Sequence, residues 1–123
     1  PVLRMITKSL DEVTADARSL SRMLNRAKLP ASIKTESCES QIGGGSLPLE
    51  RIPSMAVALK PEKISVAELE MRMRHLPIPI IPRTANDTVL IDVRTVDRSQ
   101  FRKITDQFVE YGIMEEDSKV EVR

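Results

Sequence analysis

A chain of 123 residues, 41% hydrophobic and 30% charged, suits one globular domain around one core. Two Phe, one Tyr and no Trp leave that core to aliphatic side chains and withhold the stacking platforms that single-strand nucleic-acid readers need. The 19 basic and 18 acidic side chains are interleaved to a net charge of +1, which gives no sign of an autonomous polyanion-binding module.

In chain order, the first predicted element is a helix over Ser9 to Arg26. Ser9 and Glu12 have the spacing of a capping box, and Leu10, Val13, Ala17, Leu20 and Leu24 form one apolar stripe. Lys28-Leu29-Pro30 stops it. A strand follows over Ser32 to Ile42, then the loop Gly43-Gly44-Gly45-Ser46-Leu47-Pro48. The apolar run Ser54 to Leu59 reads as a short buried strand bounded by Pro53 and Pro61. A second capping pair, Ser65 and Glu68, opens a helix with Val66, Leu69, Met73 and Leu76 on its apolar stripe, ended by Pro77. Ile78 to Arg83 and Thr88 to Thr95, joined by Ala85-Asn86-Asp87, read as a β-hairpin whose first arm is limited by Pro77, Pro79 and Pro82. Val89, Ile91 and Val93 fall on one side of the second arm, with Leu90, Asp92 and Arg94 on the other. A last helix starts near Asp97, with Phe101, Ile104, Phe108 and Tyr111 as its stripe and Gly112 as its cap. The segment 115–123 is a charged tail, frayed or forming a short extra strand. The order predicts an α+β fold: a two-layer domain with helices packed on one face of a mainly antiparallel sheet.

Chemistry-bearing residues are few. Cys38 is the single cysteine, which excludes an internal disulfide framework and fits a reducing, cytoplasmic compartment. With His75 the only histidine, the usual four-ligand zinc site is excluded; His75 reads as a helix C-terminal residue and Cys38 as a half-buried strand residue. No apolar run approaches the roughly 18 residues of a membrane span, and no leader has the pattern of a signal peptide. Three of the four glycines are consecutive at 43–45. Their amides could cradle an anion, or they could serve only as a hairpin connection; no P-loop or dinucleotide pattern accompanies them. Arg51, Arg83 and Arg94 stand in loop or strand-end contexts. Arg83, ending an apolar Pro-Ile-Ile-Pro arm, suits a bidentate carboxylate or phosphate contact, or else an ordinary surface ion pair.

The stretch Ser40-Gln41-Ile42-Gly43-Gly44-Gly45-Ser46-Leu47-Pro48-Leu49-Glu50-Arg51-Ile52-Pro53-Ser54 resembles a signature near the C-terminus of bacterial selenocysteine synthases, the L-seryl-tRNA(Sec) selenium transferase family. So do Leu76-Pro77-Ile78-Pro79-Ile80-Ile81-Pro82-Arg83 and Leu90-Ile91-Asp92-Val93-Arg94-Thr95, and the opening Pro1-Val2-Leu3-Arg4-Met5-Ile6 with its capped helix. The blocks stand in the family's order over residues 1 to about 110. One departure is Pro82, where the family usually has glycine before the arginine.

The resemblance implies a fold-type I pyridoxal-phosphate enzyme that converts seryl-tRNA(Sec) to selenocysteinyl-tRNA(Sec) with selenophosphate, and is homo-oligomeric. It implies that residues 1–114 are the C-terminal small domain and that the Schiff-base lysine belongs to a large domain of the same polypeptide. No residue of the present chain is then catalytic, and the cofactor is not expected on it. By position, Gly43, Gly44, Gly45 and Ser46 become the segment facing the active site, and Arg83 the anion-binding residue. The start at Pro1, running directly into apolar sequence, is the expectation for a boundary inside a longer protein. The alternative is a self-standing α+β binding or regulatory module without catalysis.

Overall fold

The computed structural model describes residues 8–42 and 50–122. Helix α1 spans Leu10–Arg26, and Ser9 Oγ accepts the Glu12 amide at 3.1 Å, which satisfies one of the free donors at the helix start. Val13, Ala17, Leu20 and Leu24 are fully buried. Leu10, in the first turn, is exposed, unlike the rest of the expected stripe. The helix ends at Arg26, and Lys28 takes a left-handed φ of 55° just before the chain turns into the sheet.

The sheet has the order β1-β2-β4-β3, all antiparallel. Strand β1 (Ala31–Ile42) pairs with β2 (Glu50–Pro61) over twelve residues, from Ala31↔Pro61 to Ile42↔Glu50. The expected boundary at Pro53 is therefore corrected: β2 begins at Glu50, runs through Pro53 and ends at Pro61, the other expected boundary. Strand β4 meets β2 only between Ala56 and Leu59, so Pro53 has a strand on one side alone and its missing N–H breaks no second ladder.

The second hairpin is shorter than expected. Strand β3 is Arg83–Ala85 and β4 is Thr88–Asp92, joined by Asn86 and Asp87 at φ 50° and 62°, the two positive angles of a tight type I′ turn. Residues 78–82 join no strand, since Pro79 and Pro82 offer no amide hydrogen. Their polar atoms are satisfied elsewhere: Gln107 Oε1 accepts the Ile78 amide at 3.1 Å, Gln107 Nε2 donates to Ile78 O at 2.8 Å, and the Ile80 amide donates to Met73 O at 3.1 Å. Strand β4 stops at Asp92 because its carboxylate accepts the Arg94 amide and folds 93–95 into a 3₁₀ turn.

Helix α2 spans Val66–Arg74, capped by Ser65 as the sequence requires. Helix α3 spans Phe101–Glu110 after a 3₁₀ turn at Arg98–Gln100 capped by Asp97. Gly112, at φ 56°, closes α3 where a side chain would be strained. All three helices bury their stripes against Val57, Leu59, Val89 and Ile91 on one side of the sheet. The fold is the expected two-layer α+β domain. Among the described residues, no helix is long and apolar enough to cross a membrane.

Arg72 holds the C-terminal segment in place. Its buried guanidinium donates to Ile113 O at 3.0 Å, to Glu115 O and to Glu116 O at 3.2 Å. The Lys119 amide donates to Tyr111 O at 2.8 Å and Val120 packs on the core, so residues 115–120 lie against the domain without forming a strand. Charge-assisted hydrogen bonds to buried carbonyls are the costly kind to lose. In urea unfolding, Arg72→Ala should lower stability by about 3 kcal/mol, whereas Arg74→Ala, an exposed i,i+4 pair with Glu70, should cost under about 0.5 kcal/mol. Equal losses would show the carbonyl contacts to be dispensable. Ser9→Ala, which leaves the Glu12 amide without its cap, should cost about 1 kcal/mol in the same assay.

Candidate functional site

Strand register sorts side chains between the two faces of a sheet, because neighbours directly opposite share a face and the period is two. Ala58 and Leu90 are paired, as are Lys34 and Ala58, and Leu90 and Arg83; one row of the helix-free face is therefore Lys34, Ala58, Leu90 and Arg83. The next row is Glu36, Ala56 and Asp92, followed by Cys38 with Ser54. Ala56, Ala58 and Leu90 are buried and pack with Cys38 in a small second apolar cluster.

Beside that cluster lies a polar one centred on Asp92, which is 9% exposed. Its Oδ1 accepts from Ser54 Oγ at 2.7 Å and from the Arg94 amide at 3.1 Å, and its Oδ2 accepts from Ser40 Oγ. Ser40 and Ser54 are both 1% exposed, so their hydroxyls point into the interior and satisfy a buried carboxylate. Arg83 Nη2 stands 3.8 Å from Asp92 Oδ2, and Arg83 Nη1 donates to Glu39 O at 2.8 Å.

The contact between Arg83 and Glu39 joins the first and last strands of the sheet order. In a flat sheet three strand spacings span about 14 Å, more than an arginine side chain reaches. The distal half of the β1–β2 hairpin, beyond the four residues that β4 pairs, must therefore bend across this face. The arginine side chain stays 44% exposed, with its guanidinium tethered at two points.

Cys38 shares this face. Burial foremost, and then the Asp92 carboxylate, push its thiol above the ordinary value, while Arg83 and Ser54 pull weakly the other way. The thiol is therefore protonated at neutral pH, the opposite of an activated nucleophile. The arrangement tethers an arginine whose side chain stays 44% exposed, which suits it to binding an oxyanion. Among the described residues no lysine amine pairs or hydrogen-bonds with the cluster. Nor, among them, does any group of three or more His, Cys, Asp or Glu side chains stand where it could hold a metal ion.

Arg83 is thus the one predicted site residue found in this cluster. Gly43, Gly44, Gly45 and Ser46 lie outside the described residues. Arg51 is exposed on β2, and Arg94 is buried, donating to Pro53 O at 2.8 Å and to Lys8 O. His75 caps α2, with Nδ1 2.8 Å from Met71 O. Asp92, Ser40 and Ser54 were not singled out by sequence reasoning. The available signal was an aspartate alternating with Leu90 on a short strand, with Ser54 two residues from its partner Ala56 on β2 and Ser40 at the matching parity of β1.

Set beside known proteins, residues 1–97 match the family described as L-seryl-tRNA selenium transferase. The chain is 34% identical over 101 residues to the L-seryl-tRNA(Sec) selenium transferase of Alkaliphilus metalliredigens, covering 82% of this chain and 22% of that protein. It is 36% identical over 112 residues to the enzyme of the same name from Desulfotalea psychrophila, covering 90% and 24% respectively. The Geotalea uraniireducens protein of that name is 38% identical over 98 residues, covering 78% and 21%. The chain therefore spans less than a quarter of the length of these relatives. With a family match over most of its length and relatives of that name at 34–38% identity, the chain belongs to the L-seryl-tRNA selenium transferase family.

Proposed function

We propose that residues 1–114 are the C-terminal small domain of a cytoplasmic, homo-oligomeric, pyridoxal-phosphate-dependent transferase that converts seryl-tRNA(Sec) to selenocysteinyl-tRNA(Sec) with selenophosphate. The cofactor, when bound, supplies an electron sink for chemistry at the seryl group, and it is held by a lysine of the large domain. The small domain's own task is to bind and orient. Arg83 contacts an anion of one of the two substrates, and the segment Gly43 to Ser46 faces the active site. Family membership and the placement of Arg83 support this reading. The single observation that carries it is an arginine held by Glu39 O and beside Asp92 whose side chain stays partly exposed.

In the full-length enzyme, Arg83→Ala should raise the KM of either selenophosphate or seryl-tRNA(Sec) by about tenfold or more, the scale of one lost charge-assisted contact. Arg74→Ala should leave both unchanged; Arg72 is unsuited to that comparison because its buried guanidinium supports the fold. Equal effects at Arg83 and Arg74, or none at Arg83, would remove the anion site. Mixed with pyridoxal phosphate, the 123-residue chain alone should give no imine absorbance above that of a lysine-matched, unrelated protein. A stoichiometric imine band would put the cofactor on this chain instead.

A further inference from the structure

Resting on the reading of Arg83 as the anion seat, we infer that Asp92 determines specificity there: it tunes Arg83 to a singly charged oxyanion and against a doubly charged one. Asp92 is fixed. Its two oxygens accept three hydrogen bonds, from Ser40, Ser54 and the Arg94 amide, so the carboxylate cannot swing away when a ligand arrives. Its Oδ2 lies 3.8 Å from Arg83 Nη2, too far for a hydrogen bond but close for Coulomb interaction.

An oxyanion on the open edge of the guanidinium adds about 2.8 Å to that distance, which places it roughly 6 Å from Asp92. At that range the carboxylate offsets most of the attraction that Arg83 offers a remote charge. The hydrogen bonds along the guanidinium edge are the same for a monoanion and a dianion. A second negative charge therefore gains little from the neutralised pair, while its greater hydration must still be stripped. Removing the Asp92 charge has two consequences that oppose each other in absolute affinity: Arg83 is less well oriented, and the repulsion disappears. The first is common to all anions. It cancels when two anions of the same shape and different charge are compared, so their ratio reads Asp92 alone.

Methanesulfonate and sulfate are such a pair, tetrahedral and carrying one and two charges at neutral pH. Both are tested as competitive inhibitors of the full-length enzyme against the substrate whose KM responds to Arg83→Ala; the inference expects that to be seryl-tRNA(Sec), with its singly charged phosphodiesters, and a response confined to selenophosphate, at least doubly charged at neutral pH, overturns it. In the unaltered enzyme, methanesulfonate should inhibit at least as well as sulfate. Asp92→Asn, near-isosteric and able to keep most of the serine contacts, should shift the ratio toward sulfate by about three- to tenfold. An unchanged ratio in Asp92→Asn overturns the inference while leaving the anion seat intact, provided Arg83→Ala still abolishes inhibition by both. If Arg83→Ala leaves inhibition unaltered, the seat itself is gone and the inference with it. Should Asp92→Asn fail to fold, the unaltered enzyme decides, because sulfate binding more than about tenfold tighter than methanesulfonate overturns the proposal.

Discussion

A carboxylate taken out of water must be met by donors, and the placement of Asp92 sets that requirement at the end of β4. Three donors and one nearby cation, from four separate parts of the chain, answer it. Ser40 comes from β1, Ser54 from β2, the Arg94 amide from the turn that follows β4, and Arg83 from β3. The group thereby ties every strand of the sheet to one point. It also ends β4, because the hydrogen bond from the Arg94 amide replaces the ladder with a 3₁₀ turn. That turn carries Arg94 to where it binds Pro53 O on β2 and Lys8 O ahead of α1, so one buried charge connects the sheet to the entry of the domain.

The two faces of the sheet divide the labour. On one, Val57, Leu59, Val89 and Ile91 meet Val13, Leu20, Leu69, Met73, Phe101, Ile104 and Phe108 in a core almost free of aromatic rings. Stability resides there, in aliphatic burial worth about 25 cal/mol per Å². On the other, small residues at Ala56 and Ala58 keep the surface low, and the polar cluster lies at its end. An arginine on a three-residue edge strand would be mobile if left to itself. Pro82 just before it and the two tethers at Glu39 O and Asp92 restrict it, an economical way to fix a long side chain on an edge.

Helices were the most legible part of the chain. The pairs Ser9 with Glu12 and Ser65 with Glu68 mark starts that the hydrogen bonds reproduce, because capping is local chemistry decided within four residues. Strand limits were harder. Pro53 and Pro61 look like boundaries, yet β2 passes through the first and ends on the second, since what a proline costs depends on whether a neighbouring strand needs its amide. The arm predicted from Ile78 to Arg83 shrank to Arg83–Ala85 for the complementary reason: prolines there removed donors, and Gln107 from a helix supplied partners that no local pattern announces. Arg94 reads as a strand-end cation, yet it is buried, as is Arg72, each bonded to main-chain carbonyls distant in sequence.

By itself the sequence determined the two-layer α+β class, the capped helices, the aliphatic core and the family, because periodicity, caps and short motifs are properties of neighbouring residues. Only the tertiary structure decided which arginine faces a carboxylate and which are buried, and that Ser40 and Ser54 belong with Asp92, 52 and 38 residues away. Such groupings are set by strand register and sheet order, and a buried charge recruits its donors by proximity in space.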